Sequence, residues 1–338
     1  MSTAHSKPST KFSFFDSRIE FNALDEVTTN LKSEALRQVA RTFRENAESA
    51  STVLVLPLWL VTRSTERLEL YELFAVRLAE GLLLGGTKGP EGGEPLGPRV
   101  AKEWAEKHQP DSPKFKTRVN TELDKLLVGE GPQNAFQSLV FSALSGFWTS
   151  FEILATDAWV AALNASPTVI AQQCFAQAQK TEDTSDLDGK QVSVRLLSKY
   201  GFDLRQKMGE ILRPKFDFTG VSGQLRAFTA AFGQANELSS IFSDKSLSEL
   251  EATRHLIVHR AAVADEEFIK RTGSQLPVGN KISMEPARAV HFLNAVLLAG
   301  CRLLSFVDGA IASQSLPAVP GTVQIQPDRP VDFAGGNS

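Results

Sequence analysis

The sequence predicts an all-α protein: a helical bundle with an N-terminal helical extension and a disordered C-terminal tail. Three observations lead there. Apolar residues recur at three- and four-residue spacing over several long stretches. The longest of these, Asn134 to Ala165, is apolar on most sides, as a helix at the centre of a fold is. No alternation of strands with helices is present that would signal a parallel sheet, and no internal repeat is seen. The expected organisation is a disordered N-terminus over 1–15, an N-terminal helical region over 16–130, a second helical domain over 131–310, and a disordered tail over 311–338.

Taken in order, Arg18 to Ser49 carries helical spacing through Leu24, Val27, Leu31, Leu36, Val39 and Phe43. The apolar run Val53 to Val61 contains Pro57 and is too short to span a bilayer, so it reads as a buried strand or short helix. Ser64 to Arg67 looks like a helix entry, and Leu68 to Leu84 is helical. Residues 85–98 hold six glycines and three prolines and read as an exposed loop. Val100 to His108 and Pro113 to Val128 follow as helices, with His108 as a capping or exposed residue. Ser166-Pro167 closes the central helix or opens the next. Val221 to Leu238, Leu247 to Ala262 and Met284 to Val307 complete the set, with Gly273 to Lys281 a loop. His291 falls among core or interface positions. The tail from Ser313 has four prolines and no helical period.

Bulk properties narrow the function. The chain has 338 residues, 42% hydrophobic, with a net charge of -3, so it is no nucleic-acid polycation. Any RNA contact must use a local patch. One patch is Lys190 to Arg226, with eight basic residues against three acidic and interleaved aromatics. Lys199, Arg205 and Lys207 are its candidate RNA-binding residues, since cations with aromatics suit phosphates and splayed bases. An ordinary solvated helical face explains the same composition. Cys174 and Cys301 lack a paired motif, which favours a reducing cytoplasm. The polar N-terminus has no apolar signal core, and no membrane association is expected.

The chemistry-bearing stretch runs from Ser248 to Arg260. At about 100° per residue, Leu247, Leu250, Ile257, Val258 and Ala261 lie within about 60° of Arg254. Arg254 therefore projects from an apolar face, and a guanidinium there needs acceptors. Its expected partner is Glu152, although Glu152 facing solvent or a neighbouring helix fits equally. His255 and His259 flank the same face, with Glu251 and Ser248 nearby. The histidines have the spacing of a zinc pair, and Glu251 could supply a third ligand. Leu256, however, stands where a zinc hydrolase needs Glu. No metal is expected.

Arg254-His255-Leu256-Ile257-Val258-His259 resembles the Arg-x-x-x-x-His signature of HEPN domains, in which a polar residue commonly follows the arginine. The flanking stretch from Glu249 to Thr272 is similar to the HEPN motif helix and its exit loop. The resemblance implies a HEPN-type bundle that is a metal-independent endoribonuclease without cofactor. Such an enzyme leaves 2′,3′-cyclic phosphate and 5′-OH ends. It further implies a homodimer in which two motifs meet, and a role as a toxin or antiphage effector with an antitoxin or other defence-system partner. On this reading Arg254 stabilises phosphate, His259 is acid or base, and His255 orients or contacts RNA. Glu152 and Glu251 support them. The same residues also fit a non-catalytic helical module that dimerises or binds nucleotides or RNA.

Overall fold

The computed structural model describes residues 19, 21–83, 96–110, 112–174, 198–204 and 206–314. Its helices are α1 (Asn22–Asn30), α2 (Glu34–Leu83), α3 (Leu96–Lys107), α4 (Pro113–Leu126) and α5 (Glu130–Ala165). After a π-helical turn, Pro167–Ala171, come α6 (Met208–Leu212), α7 (Val221–Phe232), α8 (Asn236–Phe242) and α9 (Lys245–His259). Then follow α10 (Glu266–Thr272) and α11 (Pro286–Gln314). Among the described residues there is no sheet, only one isolated bridge between Val263 and Lys281. The fold is all-α.

Helix α5 is the axis. Phe136, Val140, Leu144, Phe147, Trp148, Phe151, Leu154, Trp159 and Leu163 are all buried along it, and the proximal half of α2 and helix α11 pack on it. Gly300 of α11 allows the closest approach among the three. A Cβ there would stand 2.5 Å from the Phe43 ring and 2.9 Å from Leu154. One apolar cluster extends from Leu24 through Phe136 to Val307. The expected boundary at 130/131 thus falls inside a single continuous core. Helices α5 and α11 are long and apolar enough to cross a membrane by length and composition, and about half of each such stretch is buried in this core.

Several elements differ from expectation. The run Val53 to Val61 is neither strand nor separate helix, because α2 continues through Pro57 to Leu83. Packing of Leu54 and Val61 holds the helix where proline removes one backbone donor. Helix α3 begins at Leu96, so residues 96–98 of the segment expected to be a loop are helical. Residues 84–95, and most of the two segments expected to be disordered, lie outside the described residues. Residues 311–314, expected to belong to the tail, are helical, since α11 runs to Gln314, and Ile311 packs against the core. Val221 to Leu238 is two helices, divided where Gly233 takes φ 77°. His108 does stand at the end of α3, its N–H donating to Trp104 O at 2.7 Å, but its side chain is not exposed. That side chain is mostly covered, stacked on Trp104 at 4.3 Å with Phe115 edge-on at 4.9 Å. His291 is exposed and meets the Ser246 hydroxyl at 3.0 Å.

The first turn of α2 is secured by a residue distant in sequence. The buried Asp308 carboxylate accepts from Lys32 N at 3.0 and 3.1 Å and from Ser33 N at 2.9 Å. Asp308→Ala leaves these donors without their acceptor and is expected to cost about 1–3 kcal/mol. Urea unfolding monitored by circular dichroism reads the loss.

Candidate active site

Helix α9 starts at Asp244, whose side chain accepts from Ser246 N at 2.7 Å and Leu247 N at 3.3 Å. It ends just after His259, where Ala261 and Ala262 both take positive φ, 50° and 63°. Ala262 N donates to Leu256 O and Ile282 N donates to Ala262 O, which fixes this exit against the loop from Gly273 to Lys281. Its buried residues are Leu247, Leu250, Ala252, Thr253 and Leu256. Arg254 therefore sits at the edge of the buried face, not at its middle. Val258 is half exposed and Ala261 is outside the helix.

A second helix end meets this edge. Asp217 Oδ1 accepts from Thr219 N at 2.9 Å and Thr219 Oγ1 at 2.7 Å, forming a turn that leads into α7. Those bonds hold the Asp217 carboxyl below its ordinary range. Gly223 is required because a Cβ would lie 2.3 Å from Asp217 O. A Cβ on Gly220 would lie 2.9 Å from Glu251 Oε1, so the two residues are in close approach. Glu251 thus reaches the first turn of α7 and also accepts from Arg271 Nη2 at 2.9 Å.

Between these elements lies an open cleft of about 420 Å³. Arg226, Arg254 and Arg271 line it together with His255 and His259. Thr219, Gly220, Ser222 and Gly223 bring the N-terminus of α7, and Trp148, Asp217 and Glu251 complete the wall. His255 and His259 are both exposed, with ring centroids 4.9 Å apart. Arg271 is committed to Glu251, and Arg226 faces the charge of Asp217. Arg254 is half buried and makes no hydrogen bond or close ion pair among the described residues. Arg226, Arg271 and the α7 N-terminus already face Asp217 and Glu251, so among the described residues Arg254 is the guanidinium on this cleft that is left to favour an anion.

Glu152 belongs to the same electrostatic neighbourhood. Its Oε1 accepts from the buried Trp148 Nε1 at 2.7 Å. Burial raises its carboxyl above the ordinary value, against the indole N–H and the charge of Arg254, while Asp217 and Glu251 add to the rise. Glu152 is therefore a neighbour of Arg254 through its field and not by a direct bond. A carboxyl whose folded pKa is raised is most stabilising while protonated. That stabilisation is complete below the unfolded value, about 4.5, and is lost as pH rises through the folded value. Glu152→Gln should thus raise the melting temperature at pH 7 and leave no gain at pH 4; scanning fluorimetry at both values tests this.

Of the expected site residues, Arg254, His255, His259 and Glu251 meet in the cleft. Lys199 and Lys207 are not among its lining residues: Lys199 lies over the Tyr200 ring and Lys207 pairs with Glu210 at 3.3 Å. Arg205 lies outside the described residues. Phe216 and Phe218, from the same basic span, pack on Trp159 in the core. No group of three metal-ligating side chains converges among the described residues. Sequence reasoning missed Arg271, the turn at Asp217 and the start of α7 as parts of the site. The Thr219-Gly220-x-Ser222-Gly223 spacing, small polar residues opening a helix, was their available signal. The chain matches no protein-family model, no curated protein and no solved structure in the comparisons made.

Proposed function

We propose that this protein is a metal-independent endoribonuclease acting in the cleft between α9 and the N-terminus of α7. The observation that carries the reading is one open cleft lined by two exposed imidazoles and by the Arg254 guanidinium, which has no hydrogen bond or close ion pair among the described residues. The ribose 2′ oxygen attacks the adjacent phosphorus as one imidazole takes its proton. The P–O5′ bond breaks, and an imidazolium returns a proton to the leaving 5′ oxygen. The products are a 2′,3′-cyclic phosphate and a 5′-OH. Arg254 holds the extra negative charge of the phosphorane. His259 is the acid or base, and His255 contacts or orients RNA. The resemblance of Arg254 to His259 to the HEPN signature supports this reading, as does the exposed side of α9 at Val258, His259 and Arg260, which suits a two-fold mate. A toxin or antiphage role with an antitoxin-type partner follows by analogy with that family.

The test is incubation of the protein with end-labelled RNA in excess chelator. Wild type should cut, and a single 2′-deoxy substitution at the cleaved nucleotide should block the cut. His259→Ala should lose cleavage with its helical signal intact. RNA binding without cleavage in wild type would support a non-catalytic RNA-binding module instead. Cleavage that appears only with added metal would overturn the proposed chemistry.

A further inference from the structure

The distal half of α2 projects beyond the central bundle and packs on α3 and α4 along one side only. Its other side is largely apolar and is exposed among the described residues. Leu56, Leu60, Tyr71, Phe74 and Leu78 fall within about 40° of one line at 100° per residue. Trp59 flanks them. Trp59, Leu60 and Tyr71 are 61%, 63% and 68% exposed. Positions 60, 64, 67, 71, 74 and 78 step by four and three residues, the seam a helix presents to a partner helix.

Charge on this arm is sorted by side. Glu66, Glu69, Glu72 and Glu80 lie about 120° or more from the Leu60 line. Their carboxylates are engaged by Arg63, His108, Arg118 and Arg77. Glu103 of α3 takes the rest of Arg77 at 2.6 and 3.0 Å, and bonds from Arg77 and Lys107 push its carboxyl down to about 2. Within about 60° of the line the only charges are Arg63 and Arg67. Arg67 lies in the seam itself and has no hydrogen bond or ion pair among the described residues. Parallel pairing of two copies would set Arg67 against Arg67, and either orientation would bury two Arg67 guanidinium groups in a seam that offers them no carboxylate, which disfavours a second copy as occupant.

We propose that this face docks an amphipathic helix of a partner protein whose apolar stripe is flanked by Asp and Glu. The seam from Leu60 to Leu78 is about 27 Å long, which fits about three heptads of such a helix. The inference is independent of the chemistry proposed for the cleft.

The probe is a displayed library of helices of about 21 residues, with Leu at the seam positions and Glu or Lys at the flanks, selected on the full chain. Acidic helices should be enriched over basic ones by at least about tenfold. Arg67→Glu should reverse the preference. The Leu60→Asp, Tyr71→Asp double variant, which changes only exposed side chains and keeps its helical signal, should select none. No enrichment, or equal enrichment on the double variant, overturns the proposal. So does a wild-type dimer that the double variant dissociates, which would make a second copy the occupant. Binding to phosphatidylserine vesicles without selection of helices overturns it in favour of a lipid surface.

Discussion

Arg254→Ala should reduce RNA cleavage by about 10²- to 10³-fold, the usual loss when one preorganised donor to a transition-state anion is removed. Folding should be nearly unchanged, within about 0.5 kcal/mol, because no buried acceptor depends on the guanidinium among the described residues. Glu152 loses the opposing field of Arg254, so its carboxyl should titrate at still higher pH in the variant. Arg254→Lys should restore little, since an ammonium is a point charge and cannot present a planar fork to two phosphate oxygens. Single-turnover cleavage with saturating enzyme separates the chemical step from binding. A variant cutting at the wild-type rate would remove Arg254 from the mechanism. A loss that tracked unfolding would make it a structural residue.

Trp159→Ala should carry the largest stability effect, about 3–5 kcal/mol, from the cavity it opens. The indole is fully buried, with Phe216 at 5.1 Å and Phe218 at 5.5 Å between ring centroids. Its Nε1 donates to Ala227 O at 2.9 Å and so ties α5 to α7. Trp159→Phe keeps much of the ring volume but leaves that carbonyl without this donor, and should cost less. Phe216 and Phe218 bracket Asp217, so slack at Trp159 reaches the turn that shapes the cleft. Urea unfolding gives the stability loss, and cleavage at a temperature where the variant is still folded gives the effect on the site. An Ala variant destabilised by less than about 1 kcal/mol would show that the junction repacks.

Helix α5 was legible because its apolar residues nearly encircle it, and only a central helix can bury all of them. Arg254 and the two histidines were legible as residues of one helix, but Arg254 and His259 lie about 140° apart around it, and only the structure shows that they line the same cleft. The break after Phe232 was less legible, although Gly233 marked it. Continuity of α2 through Pro57 was hidden, because local propensity argues against it and only packing at Leu54 and Val61 outweighs the missing donor. His108 was legible only in part: the Gln109-Pro110 that follows it marks the end of α3, but nothing local announces Trp104 and Phe115 on its two sides.

By itself the sequence determined the helical class, the main apolar faces and the arginine–histidine helix. Each depends on a period of three to four residues, which the chain carries in its own order. Only the tertiary structure decided that Arg271, Asp217 and the start of α7 join that helix around one cleft. It also decided that Lys199 and Lys207 lie outside the cleft lining. Those placements come from packing between segments tens of residues apart, and no local spacing encodes them.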